Sequence, residues 1–129
     1  MGIVIEGRVL VEGHAEAPAL VLDEPLSLWG GLDPTTGRIV DIRHPQHGEV
    51  VTGRVLVMPS GRGSSSSATI LAEAIRLGTA PAGIVLSEPD RILAIGALVA
   101  SELYGRTAPI IVVDRDVYET TRGGDLLRL

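Results

Sequence analysis

The chain of 129 residues contains no cysteine, no lysine and no phenylalanine, and only one tryptophan and two tyrosines. Without cysteine it forms no disulfide and offers no thiolate to a structural zinc or an iron–sulfur cluster. No apolar run is long enough to span a membrane. The opening MGIVIEGRVLVEGHAEAP lacks a basic start, and Glu6 interrupts its apolar stretch, so it does not read as a secretory signal. A cytoplasmic protein with no membrane partner is expected. The net charge is −5, and all 11 Lys+Arg cations are arginines spread along the chain. No basic face is evident, which argues against a nucleic-acid partner.

What is present is mostly aliphatic. The apolar fraction of 45% is ordinary for a globular chain, and the length suits one domain with a modest core. The first half is rich in β-branched residues and turns. GIVIEGRVLVEG reads as one strand. AEAPALVLDEP reads as a second, placed at an edge or carrying a bulge because of Pro18. Gly30-Gly31 reads as a bend, and Asp33 to Gly37 as a tight turn that feeds the short strand RIVDI. GRVLVMP is continuously apolar, as expected of a strand buried on both faces.

The second half changes period. Ala68, Leu71, Ala74 and Ile75 recur at helical spacing between Ser65 and Leu77, and Gly78 supplies a stop. AGIVLS is a short buried strand. Ser87 and Pro89 open a second helix that ends at Gly105, and APIIVVD reads as the last strand. The fold class is therefore α/β, a β-rich first half followed by two βα units with parallel neighbours. The tail ETTRGGDLLRL has a weak pattern and is expected to be partly mobile.

The most informative stretch is MPSGRGSSSSATILAEAIRLG, Met58 to Gly78. Four hydroxyls and an arginine sit between a buried strand and a helix. A helix N-terminus has free backbone N–H groups and the positive end of the helix dipole, so it favours an anion. Gly61 and Gly63 permit a sharp bend, Ser64 to Ser67 add donors, and Arg62 adds a fixed charge with a carboxylate-matching fork. The G-x-x-x-x-G-K-[ST] phosphate loop is absent, and the order is wrong for a G-x-S-x-G nucleophile elbow. From the pattern alone, an anion site and a helix cap with solvated serines are equally open.

The loop GRGSSSS resembles the G-x-G-S-S motif on the mobile swivel domain of the aconitase superfamily. Together with LWGGLDPTTGRIVDIRHPQHG it resembles the small subunit of the aconitase X group, from about Gly7 to Val113. The resemblance implies a swivelling β/β/α domain over residues 1–129. It implies a hydro-lyase subunit active only with a large subunit, in a heterodimer or higher assembly. Ser64 stands where that family has its catalytic base, and Arg62, Gly63, Ser65 and Ser66 would contact the substrate. Aconitase proper has an arginine after the two serines, whereas Ser66 stands here, so the substrate carboxylate would be held by Arg62 or by the partner. The chain would bind no metal, and an iron or iron–sulfur centre is expected on the large subunit. The implied substrates are cis-3-hydroxy-L-proline or mevalonate 5-phosphate, with GRGSSSS and HPQHG leaning to the first. A non-catalytic anion-binding swivel module is the contrasting reading.

Other residues point less sharply. WGGLDPTTG reads first as structure, with Trp29 packed beside its glycines and Asp33 accepting turn N–H groups; contact with a partner is the weaker reading. His44 and His47 lack a third ligand for a metal and read as a surface loop closing over the partner. Glu88, Asp90 and Arg91 read as first-turn helix charges. Gly96 costs a helix about 1 kcal/mol relative to Ala, which suggests close packing on the sheet. Asp114, Arg115 and Asp116 read as a solvated strand end.

Overall fold

A computed structural model describes residues 2–129. The strands are β1 (Ile3–Val4), β2 (Arg8–Val11), β3 (Glu16–Val21), β4 (Leu32–Asp33), β5 (Arg38–Ile39), β6 (Val55–Met58), β7 (Gly83–Leu86), β8 (Ile110–Val112) and β9 (Leu126–Arg128). The helices are a single kinked turn α1 (Leu28–Gly31), then α2 (Ser66–Leu77), α3 (Arg91–Tyr104) and α4 (Arg115–Thr120). Seven strands form one mixed sheet in the order β1-β9-β3-β6-β7-β8-β2, and β4 and β5 form a separate hairpin. The expected α/β layout is the observed one: β6-α2-β7-α3-β8 runs as two βα units with parallel pairing.

The N-terminal stretch departs from the single strand read in the sequence. β1 pairs with β9 at one edge of the sheet, and β2 pairs with β8 at the other. Only Ile5, Glu6 and Gly7 join them, so Val4 and Arg8 lie at most about 15 Å apart. The two edges must therefore approach each other, and the sheet curls. Gly7 makes this possible, because a Cβ there would strike the Val112 carbonyl on β8.

Alternation along the strands sorts the core into two layers. Val55, Val57, Val85, Ala17, Ala19 and Ile111 face the inside of the curl, where small and β-branched side chains fit. Leu56, Met58, Ile84, Leu86 and Ile110 face the other way, against Leu71 and Ile75 of α2 and Leu93 and Ala97 of α3. β6 and β7 are buried along their whole length, as their unbroken apolar runs predict.

Several expectations are corrected. β3 is interior rather than an edge, yet Pro18 is tolerated. Residues 16–18 pair with β9 on one side, and residues 19–21 pair with β6 on the other. Pro18 thus lies outside the β6 ladder, where its missing N–H is harmless. The last strand is β9, not β8, and the tail is built into the sheet between β1 and β3. Asp114 to Asp116 open α4 rather than trailing a strand. The Tyr118 hydroxyl donates to the Leu22 carbonyl at 2.6 Å, docking that helix. Gly96 packs against α2, not the sheet: a Cβ there would lie 2.6 Å from the Ala68 carbonyl oxygen. The two helices can cross closely only because that position is bare.

Candidate active site

The serine loop leaves the carboxyl end of β6, beside the loop leaving the carboxyl end of β7. In open parallel sheets this is where ligands bind. The two loops are tied together: the Ser87 hydroxyl and the Ser87 and Glu88 N–H groups all donate to the Pro59 carbonyl oxygen. Ser87 therefore links loops, and the residue that opens α3 is Asp90. Its Oδ1 accepts the N–H groups of Ile92 and Leu93 at 2.9 and 3.1 Å.

Each glycine of the loop has a physical reason. Gly61 lies against the Asp90 carboxylate, so any Cβ there would collide with it. Gly63 has φ +103°, a region that favours glycine, and a Cβ there would lie 2.7 Å from Ser27 Oγ. The Arg62 N–H donates to the Leu26 carbonyl at 3.3 Å, and Leu26 and Gly61 form an isolated parallel bridge. The segment after β3 thus fixes the loop from below.

The four serines divide into distinct roles. Ser65, just before α2, already has helical backbone (φ −57°, ψ −21°) and makes no side-chain cap bond, so the capping hydroxyl is that of the exposed Ser64, whose Oγ accepts the Ser66 N–H at 3.0 Å. Ser65 is exposed, with its side chain free of cap bonds. Ser66 is half-buried and has its N–H committed to Ser64. Ser67 is buried, and its Oγ accepts the Trp29 N–H at 3.2 Å, tying α2 to α1. The N–H groups of Gly63, Ser64 and Ser65 donate to no acceptor among the described residues. Arg62 is exposed and has no ion-pair partner among them. Three free donors, one free guanidinium and the start of a three-turn helix make an open anion cradle around the Ser64 hydroxyl.

Arg62 also lines an open cleft of about 390 Å³ with Trp29, Asp41, Arg43, His44 and Glu24. Trp29 is 57% exposed, so it does not pack beside its glycines as the sequence suggested. The kink at Trp29 and Gly30, with φ +78° at the glycine, turns the indole outward. His44 is buried rather than presented on a surface loop. Its Nε2 lies 3.0 Å from the Glu24 carbonyl oxygen and carries the hydrogen, while Nδ1 accepts the Gln46 N–H. His47 is exposed, as expected. Asp33 behaves as read: its Oδ1 accepts both the N–H and hydroxyl of Thr35, which holds its carboxyl below the usual range. Glu24, Asp41 and Arg43 carry no motif in the sequence and meet only in three dimensions.

A curled sheet with two parallel βα units, presenting an open helix N-terminus on a glycine–serine loop, defines a swivel domain of the aconitase type. The family model for the aconitase X swivel domain matches residues 4–129, and the chain belongs to that family. It is 48% identical over 107 residues to a cis-3-hydroxy-L-proline dehydratase of Pseudomonas aeruginosa, covering 83% of this chain and 18% of that protein. It is 43% identical over 125 residues to the phosphomevalonate dehydratase small subunit of Methanopyrus kandleri, covering 96% of this chain and 88% of that one. The crystal structure of Thermococcus kodakaraensis aconitase X in its holo form superimposes with a TM-score of 0.85 at 29% identity, covering 95% of this chain and 88% of that one. The chain spans less than a fifth of the length of the cis-3-hydroxy-L-proline dehydratases it matches. No helix among the described residues is long and apolar enough to cross a membrane.

Proposed function

We propose that this chain is the base-carrying swivel subunit of an aconitase X-type hydro-lyase that dehydrates cis-3-hydroxy-L-proline. The observation that carries this reading is Ser64: an exposed hydroxyl at an uncommitted helix N-terminus, flanked by three free N–H groups and Arg62. A serine is a poor base in water. Positive potential arranged in advance around its oxygen favours the alkoxide. In this reading Ser64 Oγ takes the proton from the carbon bearing the carboxylate. The C–H electron pair becomes the new double bond, and the hydroxyl on the adjacent carbon leaves.

The residues of this chain do not fit an iron site. It has no cysteine, and no group of three or more His, Asp or Glu side chains gathers among the described residues. The proposal places iron or an iron–sulfur centre on a large subunit, with that subunit closing over the serine loop and the exposed Trp29 and His47. Subunit packing would then bring base and metal together only in the assembled enzyme. Ser65 and Ser66, with Gly63 and Arg62, are the substrate contacts in this scheme. A cytoplasmic setting fits a metabolic dehydratase of this kind.

A second reading, mevalonate 5-phosphate, draws support from the coverage of relatives. The stand-alone small subunits this chain matches nearly end to end are named for phosphomevalonate dehydration. The test is co-expression with a cysteine-containing large subunit, followed by assays on both substrates. Turnover of cis-3-hydroxy-L-proline, lost in Ser64→Ala, supports the proposal. Turnover of mevalonate 5-phosphate alone moves it to the second reading. Full turnover with Ser64→Ala leaves the loop as a non-catalytic anion-binding module.

A further inference from the structure

The cleft beside the serine loop has a charge pattern that the base reading does not explain. Two arginines, Arg43 and Arg62, face it together with two carboxylates, Glu24 and Asp41, under an exposed indole. The guanidinium of neither arginine has an ion-pair partner among the described residues. The Asp41 carboxylate is used locally, since its Oδ1 accepts the Arg43 N–H at 3.0 Å and shapes the turn. The Glu24 carboxylate has no hydrogen-bond partner among the described residues.

The cleft is also held in shape. His44 donates to the Glu24 carbonyl oxygen. Gln46 donates through Nε2 to Asp23 Oδ2 and accepts the Asp23 N–H through Oε1. The HPQHG segment is therefore a clamp between the 41–47 loop and the end of β3. It ties the two segments that carry Arg43 and Glu24 to each other, so the backbone beneath both charges is fixed before a ligand arrives.

We infer that this cleft seats a zwitterionic amino or imino acid, its carboxylate on Arg43 and Arg62 and its ammonium on Glu24. The inference deepens the proposed function and rests on that reading for its link to catalysis. The cleft's formal charges cancel. A ligand carrying one charge of each sign leaves no cleft charge opposed, whereas a phosphorylated hydroxy acid would bring several negative charges against two carboxylates. The volume of about 390 Å³ lies at the small end of ligand sites. Arg62 belongs to both the cleft and the serine loop, so a carboxylate held there lies beside the loop that carries Ser64. An apolar ring face can rest on the Trp29 indole.

Trp29 is the sole tryptophan of the chain, so its fluorescence and its indole N–H resonance report on this cleft alone. The full chain is titrated with L-proline, which has the zwitterion but no hydroxyl to lose, and separately with inorganic phosphate and acetate. A saturable Trp29 response to L-proline is expected, with weaker responses to the two anions. Arg43→Gln and Glu24→Gln should each weaken the L-proline response by roughly tenfold or more, the scale of one lost charge-assisted hydrogen bond. Turnover of Ser64→Ala in the assembled enzyme tests the base reading separately from L-proline binding by the parent chain, so the two ideas fail independently. No saturable response to L-proline overturns the inference. So does an equal response to phosphate that Glu24→Gln leaves unchanged, which would mark a plain anion site.

Discussion

Two helices start side by side at the same end of the sheet, and they are finished differently. At α3 a carboxylate closes the N-terminus: Asp90 Oδ1 takes two N–H groups, and the rest of the carboxylate packs against Gly61. At α2 the cap is a neutral hydroxyl that satisfies one N–H, and the preceding N–H groups remain free beside Arg62. An acidic cap stabilises a helix and also cancels its dipole; a serine cap leaves the positive end available. The neighbouring pair thus separates a helix start closed by its own carboxylate from one whose positive end is left open.

Ser64 carries the largest expected effect. Ser64→Ala should cut turnover of the assembled enzyme by about 10²–10⁴-fold, the usual loss of a general base. It should also cost about 1 kcal/mol of stability, because the Ser66 N–H loses its cap. Ser64→Gly separates the two effects: glycine costs a cap only a few tenths of a kcal/mol, yet turnover should fall as far. Equal turnover in Ser64→Gly and the parent chain would reduce Ser64 to a cap and erase the contrast between the two helices.

Making α2 resemble α3 is the next test. Ser65→Asp places a carboxylate at the open start of the helix. Stability should rise by about 0.3–1 kcal/mol through the dipole, measured by denaturant unfolding, while the KM of the assembled enzyme rises because the cradle is now occupied by a like charge. An unchanged KM would show that the substrate anion sits elsewhere.

The converse change should act on stability rather than turnover. Asp90→Ala removes the acceptor for two N–H groups and should cost about 0.5–2 kcal/mol. Asp90→Ser, which keeps a cap, should recover most of that loss. A loss that Asp90→Ser does not recover would mean that the carboxylate also acts on Gly61.

The smallest effect lies in the turn after β4. Hydrogen bonds from the Thr35 hydroxyl and N–H hold the Asp33 carboxyl below its ordinary value of 3.8. A group depressed in the folded state contributes stability that is present above its unfolded pKa and lost as pH falls through the folded one. The Thr35 amide resonance should therefore titrate with a midpoint below 3.8. A midpoint at or above 3.8 would show that the turn does not favour the charged carboxylate.

Features confined to a short stretch of chain were legible in the sequence. The GRGSSSS loop was legible as a strand-to-helix junction because glycine before a run of hydroxyls at a helix start is a local arrangement. Gly78 and Gly105 were legible helix stops because both adopt left-handed backbone, φ 79° and 66°, which other residues seldom occupy. Val55 to Met58 were legible as buried because both sheet faces are covered. Which serine caps α2 was not legible. Four identical side chains in a row offer the same chemistry, and only the path of the loop over Leu26 and Ser27 separates capping Ser64 from buried Ser67.

Composition and local pattern were enough for the two βα units, for the glycine–serine loop that joins β6 to α2, and for the lack of any cysteine. The remainder arises only on packing. A strand's partner is set by hydrogen bonds to distant chain, so nothing within Ile3–Val11 announces that its two halves bind opposite edges of one curled sheet. The same holds for Glu24, Arg43 and Arg62. Their charges were visible as isolated letters, but only the His44 and Gln46 clamp and the turn at Gly30 bring them around one exposed tryptophan. Local propensity acts over a few residues; a cleft is made where segments far apart in the chain are held together by the packing beneath them.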